Sequence, residues 1–167
     1  QWSGDAVYIM QQAEANDVEL NFAIPEECTN MYFDGWAMLK SGINGNSEKK
    51  KAAEAFVNFV SMPENAVRNM YYIGYTSVIS GGQSPVIYDY LKWNYGLESL
   101  MEEDDTISEA DAIDYSLGYF FSGVSNDSRY ILRTSKAQTE GMLSAQYPTE
   151  EVMHRSAIMQ YFDNDET

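Results

Sequence analysis

Pro63 constrains this chain more than any other residue, because a proline has no amide hydrogen for a helix interior and is tolerated mainly in a helix's first turn. Just before it, over 48–61, Ala52, Phe56, Phe59 and Val60 recur at helical spacing, with Ser47 ahead of them as a candidate N-cap. Just after it, Ala66, Val67 and Met70 continue a second helical pattern. Gly74 then offers the left-handed conformation with which helices commonly end. Two helices broken at Met62-Pro63 are therefore expected, and Tyr75 leaves the second of them at a defined point.

The rest of the chain has to be arranged around that pair. Residues 6–13 read as a strand or a short helix, and the alternation of Val18, Leu20, Phe22 and Ile24 predicts a half-buried strand over 18–24, closed by Pro25. A dense apolar and aromatic run over 31–39, interrupted by Asp34-Gly35, predicts a buried extended segment with one carboxylate in it, followed by a loop at 41–46. Residues 76–79 are short and β-rich, with a turn at 80–82. An aromatic helix is predicted over 85–95, with Ile87, Tyr90, Leu91 and Tyr95 on one face and Gly96 as its end. The acidic stretch 98–114 reads as a solvated loop, and helices are expected around 130–143 and 150–159, separated by Tyr147-Pro148. Helical and strand-like segments thus mix along a chain of single-domain length without a repeat, which points to an α/β fold with a mixed sheet and flanking helices.

Charge narrows the function classes. The 26 acidic against 10 basic side chains leave a net charge of −16, a field that disfavours nucleic acid and anionic membranes and attracts cations, while also serving solubility. Cys28 is alone, so neither an intrachain disulfide nor an all-cysteine metal site can form. No apolar run approaches the ~20 residues of a membrane-spanning helix. Catalytic patterns fail in turn. The one histidine, His154, reads as a helix-surface residue beside Arg155, and there is no Gly-x-Ser-x-Gly elbow, phosphate-cradling glycine loop or calcium-loop ladder. The expectation is a protein without enzymatic activity, cofactor or metal.

Three short stretches carry a resemblance. They are Trp2-Ser3-Gly4-Asp5-Ala6, Met31-Tyr32-Phe33-Asp34-Gly35-Trp36-Ala37-Met38 and Ile73-Gly74-Tyr75-Thr76, with the helix pair lying between the second and third. In this order they resemble the spermidine/putrescine-binding proteins of bacterial ABC importers, over roughly the first half of the chain. In that family a linear polyammonium ion is held between two α/β lobes of the type II periplasmic-binding fold, by aromatic walls and carboxylate ends.

The resemblance implies that Trp2 is a wall, that Tyr32 stands where the family commonly has tryptophan, that Asp34 binds an amine and that Tyr75 is a further contact. A late glutamine contact of the family maps nearest to Gln160. It implies that residues 1–167 are the C-terminal portion of a two-lobe solute-binding protein, with 96–145 as an acidic surface insertion. It implies a periplasmic or extracellular location, any membrane anchor lying in a missing N-terminal part. The implied partners are a polyamine and an ABC permease, and the isolated chain is expected to bind polyamines weakly or not at all. Two alternatives stay open: a solute-binding protein for another small organic ligand, and an acidic protein-interaction domain acting through 98–114.

Overall fold

The computed structural model describes residues 2–82 and 84–159. The chain opens with helix α1 (Ser3–Glu14), then strand β1 (Asn30–Met31), and helices α2 (Lys40–Ile43), α3 (Ser47–Val60), α4 (Pro63–Ile73), α5 (Val86–Tyr95) and α6 (Leu97–Glu103). Strand β2 (Ala112–Ser116), helix α7 (Gly118–Phe121), strand β3 (Ile131–Ser135), helices α8 (Lys136–Thr139), α9 (Met142–Gln146) and α10 (Glu150–Arg155), and strand β4 (Ala157–Ile158) follow. The architecture is a helix-rich mixed α/β one. Its described strands form two separate pairs, β1 with β4 in parallel and β2 with β3 antiparallel.

The helix pair forms as the sequence predicts, with one shift at its start. Asn46, not Ser47, caps α3: its side-chain oxygen accepts from the amides of Glu48 and Lys49, both at 3.0 Å. Pro63 opens α4, and Gly74 closes it at φ +74°, donating its amide to the Met70 carbonyl at 2.9 Å. The predicted face of α5 is also present, with Ile87, Tyr90, Leu91 and Tyr95 all buried and Gly96 at its end.

Segment 6–13 takes the second of its two expected forms, whereas 18–24 departs from its expected one. The first is helical, because Ala6, Val7 and Met10 lie three and four apart and are buried together. The second forms no described strand. Val18 and Leu20 are exposed, and the backbone is held by the Val18 amide, which donates to the Ala13 carbonyl at 2.9 Å, and by the Phe22 amide, which donates to the Glu140 carbonyl at 2.9 Å. An alternating pattern needs a neighbouring strand to become a ladder, and this stretch has none among the described residues. The run 31–39 is likewise not buried: only Asn30–Met31 pairs, while Phe33, Trp36, Met38 and Leu39 are exposed. Part of the predicted loop at 41–46 is the single turn α2, followed by left-handed Asn44 and Gly45.

The second half corrects more. The acidic loop expected at 98–114 contains helix α6, a 3-10 turn (Glu109–Asp111) and the start of β2. The helix expected around 130–143 begins instead as β3, where pairing with β2 from Ile131↔Ser116 to Ser135↔Ala112 overrides helical spacing. Helix α10 stops at Arg155, and β4 takes the remainder of the stretch expected to be helical up to 159. Within 96–145, expected as an acidic surface insertion, Leu97, Tyr115, Leu117, Leu132 and Leu143 are buried, and all but Leu97 belong to one core cluster with α1, α4 and α5. Its acidic residues other than the half-buried Asp127 do face solvent, so the segment is core on one side and charged on the other.

Candidate functional site

Four separate pieces of chain meet at one cavity of about 270 Å³, lined by Trp2, Tyr32, Phe33, Asp34, Tyr75 and Met159. It opens into a broader groove of about 1100 Å³ that continues along α4 and the aromatic residues of α7. Each lining side chain is delivered by a local device. Trp2 is the N-cap residue of α1. Tyr32 follows directly on β1, whose Met31 carbonyl accepts from the Met159 amide at 2.7 Å, so the β1–β4 pairing also brings Met159 to the rim. Tyr75 emerges from left-handed Gly74 at the end of α4.

The rings converge. Trp2 and Tyr32 meet edge to face with centroids 4.5 Å apart. The Tyr75 ring lies against the backbone of Gly4, so close that a β-carbon there would come within 2.0 Å of it. Only glycine at position 4 leaves room for that ring. The Tyr75 hydroxyl donates to Asp5 Oδ1 at 3.1 Å. Burial of the phenol, followed by that hydrogen bond and the neighbouring Tyr32, pushes the Tyr75 hydroxyl up to about 12, so it keeps its proton at physiological pH.

Asp34 lines the same cavity, but as an exposed carboxylate on an exposed strap, not the buried group expected from its apolar surroundings. Nothing among the described residues covers it. The structure brings together Trp2, Tyr32, Asp34 and Tyr75, while Gln160 lies outside the described residues.

Behind the cavity lies a polar knot that the sequence reading missed. Gln146, at the end of α9, is buried. Its Nε2 donates to the Gly74 carbonyl at 2.7 Å and its Oε1 accepts from the Tyr95 hydroxyl at 2.8 Å. Its backbone carbonyl accepts from Thr76 Oγ1 at 2.6 Å. The residues on both sides of Tyr75 are thus pinned to one glutamine. Tyr95 in turn accepts at its carbonyl from Thr134 Oγ1 at 2.6 Å, and burial holds its own hydroxyl far above the ordinary phenol range. One signal was available: Gln146 is a lone amide in the otherwise mostly apolar run 142–147, and a buried amide demands partners. Gly4 and Asp5 lie within the Trp2–Ala6 stretch, in which the resemblance implies a role for Trp2 alone.

Chemically, the arrangement offers ring faces, a carboxylate and a neutral phenol, a set suited to an organic cation. Among the described residues no cluster of His, Cys, Asp and Glu could hold a metal ion, and no helix is long and apolar enough to cross a membrane. No family model, curated protein or solved structure matches the chain.

Proposed function

We propose that this chain is one part of a two-lobe, type II solute-binding protein that captures a polyamine, spermidine or putrescine, and delivers it to an ABC permease without chemistry of its own. One observation carries the reading: residues named from three distant motifs, Trp2, Tyr32 with Asp34, and Tyr75, line a single cavity. An ammonium over a ring face gains about 0.5–2 kcal/mol according to its desolvation. A charge-assisted hydrogen bond to a carboxylate adds roughly 1.5–3 kcal/mol. The net charge of −16 steers cations toward the groove and anions away. The groove is open, as half of a cleft would be, and closure by a second lobe would supply the desolvation that Asp34 lacks.

Calorimetry of the full-length protein with putrescine and spermidine tests this. Binding of at least one amine, weakened at least tenfold by Asp34→Ala, is the expected result. No heat with either amine, or an affinity indifferent to Asp34→Ala, rules the proposal out.

A further inference from the structure

We infer that the groove takes an amine capped at its far end: one ammonium lies at Asp34, and an uncharged acyl cap lies along α4, α7 and α10 in place of a second charged end. The inference rests on the cation-binding reading above and narrows its ligand. The cavity and the groove are continuous, since Trp2, Tyr32, Asp34 and Tyr75 line both. The cavity has about 270 Å³ and the groove about 1100 Å³, so most of the space lies beyond the cavity. The lining of that remainder decides what else of a ligand can rest there.

Beyond Asp34 the lining is neutral. In a chain with 26 acidic and 10 basic side chains, Asp34 is the one Asp, Glu, Lys, Arg or His among the described residues that line the groove. Helix α4 turns Ala66, Asn69, Met70 and Ile73 into it, three and four residues apart, while Glu64 and Arg68 of the same helix line no part of it. Helix α10 does likewise, with Val152 and Met153 inside and Glu150, Glu151, His154 and Arg155 outside. The half-buried rings of Tyr119, Phe120 and Phe121 supply the rest of this apolar arm. A second ammonium laid along it would lose water without gaining a carboxylate. An acyl chain gains by covering the same surface, and Asn69 offers a neutral amide to the polar bond that joins cap to amine.

The test is calorimetric titration of the full-length protein with putrescine and with its mono-N-acetyl, N-butanoyl and N-hexanoyl derivatives. The protein is used unaltered and as Asp34→Ala, Ile73→Asp and Val78→Asp. Ile73 and Val78 line the groove yet are 52% and 77% exposed, so a carboxylate at either place stays hydrated and the fold tolerates it. Affinity is expected to rise roughly two- to fourfold per methylene of the acyl chain, bringing the hexanoyl derivative to about tenfold or more above putrescine. Both aspartate substitutions should shrink that ratio roughly fivefold or more, by giving the second ammonium of putrescine a partner and the acyl chain a charged neighbour. Asp34→Ala should weaken every amine of the series. A ratio of one or less in the unaltered protein, with putrescine bound, overturns the inference and leaves polyamine capture standing. A ratio that neither aspartate substitution moves does the same, because the acyl chain then lies elsewhere. Binding of the capped amines where putrescine does not bind sustains the inference and confines the reading above to capped amines. No binding of any member of the series overturns both.

Discussion

Helices α3 and α5 carry the same kind of amphipathic pattern and meet opposite fates. Helix α5 sinks Ile87, Leu91 and Tyr95 to 1% exposure or less, against α4, α6 and β3. Helix α3 buries no residue, and Phe56 and Phe59 stand more than half exposed, Phe56 touching the still more exposed Trp36 at 5.3 Å between centroids. Helix α3 is sustained by local means: the Asn46 cap, the ion pairs Lys50–Glu54 and Lys51–Glu48 at 3.5 and 3.1 Å, and an alanine-rich interior. Spacing thus reports that a helix forms and which face is apolar. It does not report whether anything packs there.

That contrast can be broken by mutation. Leu91→Ala should cost about 2–5 kcal/mol of stability in urea unfolding, the range for a buried leucine cavity, whereas Phe56→Ala should cost a small fraction of that. Comparable losses at the two sites would show that α3 is as much part of the core as α5. Gln146→Leu fills the same volume but leaves the Gly74 carbonyl and the Tyr95 hydroxyl without their partner. A loss of roughly 1–3 kcal/mol is expected, as for a buried polar group left unpaired, and no change would mean that the knot is incidental to stability. Smallest of the three, Asn46→Ala should remove ~1 kcal/mol, read as faster amide exchange confined to the start of α3. Exchange that accelerates in α5 as well would show the two helices to be coupled.

How far the site was legible follows from the same logic. The helix exit at Gly74-Tyr75 follows from its immediate neighbours in sequence, but Trp2, Tyr32, Asp34 and Tyr75 are named as site residues only by what the resemblance implies, since each ring taken singly reads as core packing. The strand at Ile131–Ser135 does not follow from its neighbours, because its identity depends on a partner nearly twenty residues upstream (about one hairpin away) and that partner outvotes helical spacing. Asp5 was invisible for a comparable reason. A first-turn aspartate reads as a helix-terminus charge until Tyr75, 70 residues on, places its hydroxyl against it.

By itself the amino-acid sequence determined the elements with local causes: the break at Pro63, the left-handed stop at Gly74, the apolar face of α5 and the acidic field of the whole chain. Only the tertiary structure decided which apolar faces were covered, which extended segments became strands, and that Asp34 stayed in solvent. The division has one physical origin. Backbone sterics and capping act over a few residues, whereas burial and hydrogen-bond pairing are properties of surfaces that meet only after the chain has folded.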